Sequence, residues 1–389
     1  MTKERKPYWY MRLVEENKLE DFGLCDYRNH LQMHNLDDND LQKIFVEYIK
    51  KNKNRYMQIH GVDVDVKLCE IEAKKIINKM EKECKTPLYV MYIADAWISD
   101  DNKKGRNWNK EETLEYVIRK EDERLKSFFE GNREKEAALK RITTFSVVLN
   151  GINLGKRCPK FLYREFELIR EEFGYDNPNL RHLFNEIGEI EYTKDIAFKS
   201  ALPEIVGEFY CLRYLSNIID NSFDDSYVRQ FVECAWAEDS RSFAGFLCRV
   251  IEDFPDHKLV NFNAILEMPD FCNLESKMLY ADVLREYTFW NKEVLNYINT
   301  IINNFEKLFC KEKCKEIFID IIEKYAIALF NMAWWCKCEK NSNKISNCNR
   351  IILNKMYDIC RKVNNPVICQ VCRGIKTMLD ERNTMECYL

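Results

Sequence analysis

The chain has 389 residues, 46% of them hydrophobic and 32% charged, enough for roughly two or three domains with sizeable cores. Its 60 basic and 64 acidic residues leave a net charge of −4, so no long-range field draws it to nucleic acid or to an anionic membrane. Only 11 Gly and 8 Pro argue against an all-β sandwich, and no apolar run reaches the roughly 18 residues of a membrane span.

The start, Met1 to Lys6, is charged but has no apolar stretch after it, so no secretory signal is expected and the cytoplasm is the expected compartment. In that reducing setting the 17 Cys read mostly as free thiols that pack as small hydrophobes.

In chain order, Tyr8, Trp9, Tyr10, Leu13 and Leu24 are apolar anchors in a mixed segment. His30 to Leu36 alternates polar and apolar, which predicts a strand. Asp37 to Asp40 predicts a helix N-terminus, where acidic groups meet the exposed N–H ends, and Leu41, Ile44, Phe45 and Tyr48 continue at helical spacing. Lys50, Lys51, Lys53 and Arg55 follow as a basic tail on that helix. A solvated last turn is the plain reading; a phosphate contact is the alternative.

Val66, Cys69, Ala73, Ile76, Ile77 and Met80 form one helical stripe, expected to run until Pro87 stops it. Leu88 to Ile98 is apolar on nearly all sides and predicts a buried helix. Asn109 with Glu112 three residues on predicts a capping box, followed by Leu114, Val117, Ile118, Leu125 and Phe128 down one helix to Gly131.

Residues 132–215 predict helices with one short extended stretch at Glu189 to Thr193. Pro203 suits a helix start, with Phe209, Leu212, Leu215 and Ile218 as the buried face and Gly207 allowing a close helix approach. Beyond 216 the text is helical. Val228, Phe231, Val232 and Ala235 make one face, and Phe243, Phe246, Leu247, Val250, Ile251 and Phe254 make another, closed by Pro255. Ile317 to Trp335 is apolar all round and predicts a central helix. Short polar links between these helices suggest stacked hairpins, as in a solenoid.

No G-x-x-x-x-G-K-[ST] segment occurs in the sequence. The nearest, Gly151 to Arg157, is one residue short and carries Arg157 where a magnesium-binding hydroxyl belongs. Other parts nevertheless resemble a family. Pro87 to Trp97, Asn107-Trp108 and Leu114 to Ile118 resemble the helical lid of bacterial STAND-type P-loop NTPases, the NACHT-like signalling ATPases. Pro203 to Tyr210, ending in Tyr214-Leu215, is similar to the end of their winged-helix domain. Phe246 to Arg249 and Asp253 to Pro255 are similar to the start of their helical C-terminal region. The resemblance covers about residues 8–260, and the tail matches as a tetratricopeptide-like sensor would.

The resemblance implies a mainly α fold: 1–58 the end of a nucleotide-binding domain, 59–131 a helical lid domain, 132–218 a winged-helix-like domain and 219–389 a helical-repeat sensor region. It implies a regulatory, non-catalytic role in bacterial defence or signalling. The family holds ADP between its nucleotide and winged-helix domains, which places Arg28, Pro203 and Glu204 near nucleotide. Without Walker A and B motifs this chain is expected to carry no cofactor and no nucleotide hydrolysis. It then reads as a fragment, a decayed relative, or one partner of a nucleotide-binding domain supplied separately or upstream. The expected partner is that domain or another protein; neither a membrane nor nucleic acid is expected.

Three further constellations carry chemistry. Arg28 and His34 fit the loose spacing of HEPN ribonucleases, where the pair would activate a ribose 2′-hydroxyl; the plain reading is a strand end. Cys336, Cys338, Cys369 and Cys372 could make a four-thiolate zinc site; the plain reading is buried thiols. Asp95, Glu204, Glu208 and Asp253 invite acid–base or metal chemistry, with Asp95, inside an apolar helix, expected to be satisfied by a hydrogen bond. A free-standing helical-repeat scaffold is the remaining alternative.

Overall fold

The structure is a computed structural model that describes residues 36–99, 109–129, 131–153, 158–169, 188–192, 196–200, 202–222, 225–260, 264–267, 269, 273–310, 315–338, 342–362 and 368–377. These residues are mainly α-helical. The chain divides into two compact units, Met1–Tyr116 and Val117–Leu389. No helix among the described residues is long and apolar enough to cross a membrane.

The first unit contains α1 (Asp38–Lys51), α2 (Lys53–His60), α3 (Val66–Lys79) and α4 (Pro87–Ile98). The acidic start of α1 works as expected: Asp37 Oδ1 accepts from Asp40 N at 2.8 Å. Leu41, Phe45, Val46 and Ile49 then face inward as α1 packs on α3 and α4. Helix α4 is buried by Tyr89, Val90, Ile93, Ala94, Ala96, Trp97 and Ile98. Tyr56 stacks on Trp97 at 5.3 Å between ring centroids, and Phe45 meets the same indole edge-on.

Two expectations need correction here. The stripe from Val66 does not run to Pro87: α3 ends at Lys79, and a 3-10 turn over Lys82–Cys84 reverses the chain first. Val66 itself is exposed, while Cys69, Ala73, Ile76, Ile77 and Met80 are buried. The basic tail continues α1 only in part: Lys50 and Lys51 form its last turn, whereas Lys53 opens α2. The helix stops at Asn52, whose side chain donates to Tyr48 O, and Arg55 belongs to α2.

Helix α5 (Lys110–Phe128) contains the boundary between the units, and Asn109 Oδ1 caps it by accepting from Glu112 N at 2.9 Å. The second unit opens with α6 (Arg133–Val148), β1 (Ile152–Asn153) and α7 (Tyr163–Ile169), then β2 (Gly188–Tyr192) and β3 (Ile196–Ser200). The strands make an antiparallel sheet in the order β1-β3-β2, with Ile152 opposite Phe198 and Ile190 also opposite Phe198. Phe198 is buried where α6 packs on β3, and Ser146 Oγ donates to its carbonyl. The sequence pattern announced β2 alone. The strand expected over 30–36 lies outside the described residues, apart from Leu36.

A succession of helices follows: α8 (Glu204–Ser222), α9 (Ser226–Glu238), α10 (Ser240–Asp253), α11 (Leu274–Trp290), α12 (Ile298–Cys310), α13 (Lys315–Cys338) and α14 (Ser342–Lys362). A last helical stretch covers 368–377. Helix α8 touches α6, α9 and α10; α10 packs on α11; α11 on α13; α13 on α14. The apolar faces read from the sequence are the ones buried, including Phe243, Phe246, Leu247, Val250, Ile251 and Phe254, except that Ile218 is only half-buried. Helix α13 departs from expectation. It is apolar all round in sequence, yet Ile327 and Trp334 are 38% and 51% exposed, because neighbours cover only part of its circumference.

Candidate functional site

A cleft of the second unit is built at the start of α8. Pro203 has no N–H to lose before the helix, and its carbonyl accepts from Gly207 N at 2.9 Å to close the first turn. Gly207 lies against α6, where an added Cβ would stand 3.1 and 3.2 Å from the methyls of Val147. That close approach fixes the helix's rotation. It places Glu204 and Glu208, one turn apart, on the face toward α10.

From α10, Arg249 reaches both carboxylates. Its Nε donates to Glu208 Oε1 at 2.6 Å and lies 2.7 Å from Glu204 Oε1. Gly245, one turn before Arg249, contributes no side chain. The result is a cleft of about 460 Å³ between α6, α8 and α10. Its two serines are already engaged: Ser146 Oγ donates to Phe198 O at 3.2 Å and Ser242 Oγ to Asp239 Oδ2 at 2.7 Å.

The two glutamates differ. Glu204 is 69% exposed at the rim, while Glu208 is 1% exposed. Burial pushes the Glu208 carboxyl up to about 7; Arg249 pulls it down, and the charges of Asp253 and Glu204 push it further up. Glu208 Oε2 is buried and has no hydrogen-bond partner among the described residues.

Asp95 in the first unit is the opposite case. Its Oδ1 takes Arg55 Nη1 at 2.5 Å and Tyr48 OH at 3.1 Å, and its Oδ2 takes Tyr116 OH at 2.9 Å. Arg55 also donates to Ser99 Oγ at 2.7 Å. The expected satisfaction of Asp95 is therefore met several times over, and Arg55 is an ion-pair partner rather than a solvated tail. Tyr48 is pushed up to about 12 by burial and by the neighbouring carboxylate.

Of the residues singled out from the sequence, Glu204 and Glu208 come together, Pro203 sets the turn that carries them, and Asp253 acts on Glu208 through its charge. Arg28 and His34 lie outside the described residues. The four proposed zinc thiols do not converge: no group of three or more His, Cys, Asp or Glu that could hold a metal occurs among the described residues. Cys336 and Cys372 are buried, Cys369 is half-buried and Cys338 is exposed. Arg249 was missed as a site residue, since its partners lie 41 and 45 positions away in sequence. The i, i+4 pairing of Glu204 with Glu208 was the available signal. His257 was missed as well. It is half-buried, accepts from Leu259 N at 3.2 Å, and is pushed down to about 4 by burial and by Lys258.

No protein-family model, no curated protein and no solved structure matches the chain.

Proposed function

We propose that the chain is the regulatory, non-catalytic portion of a STAND-type signalling NTPase, in which lid, winged-helix and sensor segments recognise a ligand or a protein. The observation that supports this reading best is the order α6, β1, α7, β2, β3 among the described residues, with a β1-β3-β2 antiparallel sheet, an order that a winged helix also has. The helices that follow pack largely on their near neighbours in sequence, as sensor repeats do. Under this reading the Pro203–Glu204 corner at the end of the winged-helix segment is turned to nucleotide, and Arg28 keeps the nucleotide-proximal role that the resemblance implies. The nucleotide-binding domain comes from a separate or upstream polypeptide, and the work is done in the cytoplasm.

Lacking the Gly-rich loop that aims backbone N–H groups at phosphate, the chain alone should hold no nucleotide. Calorimetric titration of ADP into the purified chain should give no saturable heat. Affinity near about 1 μM, or turnover of ATP by the chain alone, would overturn the reading.

A further inference from the structure

The cleft between α6, α8 and α10 carries an imbalance of charge. Glu204 and Glu208 share one guanidinium, that of Arg249, and Asp253 adds a third negative charge that acts on Glu208. Arg241, the other cation on the wall, is already paired: its Nη2 donates to Glu275 Oε1 at 2.8 Å. Glu208 lines this wall at 1% exposure, and its Oε2, shut from solvent in this arrangement, has no donor among the described residues. A buried acceptor left open costs free energy that an incoming N–H donor recovers. An anion would instead meet two carboxylates on the wall.

The space fits such a guest. About 460 Å³ lies within the usual range of small-ligand pockets, about 300–1,000 Å³. Two glycines, Gly207 and Gly245, keep the walls back, and a Cβ at Gly245 would come within 3.5 Å of Arg249 Nη1. Arg249 is 38% exposed and holds the glutamates through Nε alone, so an incoming cation can take its place.

We propose that this cleft binds an organic cation bearing N–H donors, an alkylammonium or guanidinium group, which seats on Glu208 and Glu204 and displaces Arg249. The site rests on the cleft alone and holds whether or not the chain is part of a signalling NTPase. The cation's source is either a free amine or the basic side chain of a polypeptide.

Calorimetry on the full chain at pH 8 tests it, with agmatine as the free amine and N-acetyl-arginine methylamide as the side-chain probe. Saturable one-site binding is expected. Glu208→Gln keeps the shape and removes the charge, and should weaken binding by about tenfold or more. Arg249→Gln withdraws the resident cation and should tighten binding several-fold, which a merely structural arginine would not do. Lowering the pH from 8 to 6 should weaken binding of wild type by about tenfold, as the Glu208 carboxyl, raised to about 7 by burial, takes up its proton. Binding of agmatine alone assigns the site to free amines; equal binding of the capped arginine assigns it to a polypeptide side chain. No saturable heat from either probe up to about 1 mM, or Glu208→Gln binding both as wild type does, overturns the proposal. Should Glu208→Gln fail to fold, the pH dependence and the Arg249→Gln gain decide alone.

Discussion

The two units each hold a carboxylate beside an arginine, half-buried in the first and buried in the second, and the two carboxylates end up in different states. Asp95 sits mid-helix in α4, where α1, α2 and α5 each send it a donor: Tyr48, Arg55 and Tyr116. Glu208 sits in the first turns of α8, beside a cleft, and receives one donor from one helix. Asp95 keeps 19% of its side chain exposed and Glu208 1%. What differs is how many elements converge on the oxygens, and that decides whether burial makes a rigid joint or leaves an acceptor open. Burial alone does not separate the two; the number of donors that reach the oxygens does.

The largest expected effect breaks the closed side of this comparison. Asp95→Ala leaves Arg55 without its counter-charge and two phenols without an acceptor, in a site where the carboxylate is 19% exposed. Each donor left without its acceptor costs about 1–3 kcal/mol, and water screens the loss at Arg55, which is 40% exposed. Urea unfolding should show a loss of that order, with Asp95→Asn falling between it and wild type. If Asp95→Ala unfolds with wild type, the convergence of donors is geometry without energy.

The open side should respond in the opposite direction, and with pH. The folded-state value of Glu208, about 7, lies above its ordinary 4.5, so the folded state holds the proton more tightly than the unfolded chain. The stabilisation this gives is fully present below pH 4.5 and is lost as pH rises through 7. Glu208→Gln, which cannot ionise, should therefore be more stable than wild type at pH 8, by about 1–3 kcal/mol, with the gap closing by pH 4. The variant-minus-wild-type difference is the quantity to measure, because His257 runs the other way. Its folded value of about 4 lies below its ordinary 6.5, so its contribution is present above pH 6.5 and is lost as pH falls through 4. In wild type the two slopes oppose each other over the shared window. A Glu208→Gln melting temperature that tracks wild type from pH 4 to 8 would mean that Arg249 and solvent satisfy the carboxylate after all.

Much of the fold was legible because its signals are local. Asp37 and Asn109 cap helices by bonds spanning three residues, and the Phe243–Phe254 face repeats every three or four. What escaped was set by distant partners. Strand β1 is two residues long and exists because β3, more than 40 positions later, pairs with it. Trp334 is exposed because α11 and α14 cover other faces of α13, a matter no single helix records. The site divides the same way. Glu204 and Glu208 one turn apart could be read, but whether a carboxylate would be closed off like Asp95 or left open like Glu208 depended on Tyr48, Arg55 and Arg249, each brought from another element.

The smallest expected effect sharpens the comparison within the cleft itself. Glu204 shares Arg249 with Glu208, at 2.7 Å against 2.6 Å, yet it is 69% exposed. Water screens that pair, and exposed ion pairs are worth about 0–1 kcal/mol. As the first residue of α8, Glu204 also faces the positive end of the helix, worth about 0.3–1 kcal/mol at the surface and also screened by salt. Glu204→Gln should thus cost less than about 1 kcal/mol and shift the melting temperature by a few degrees at most. The double variant carries the information. With both carboxylates neutral, Arg249 has lost both counter-charges, so Glu204→Gln should be more costly in the Glu208→Gln background than in wild type. If the two substitutions add instead, Arg249 does not couple them, and the cleft holds two independent glutamates rather than a pair sharing one cation.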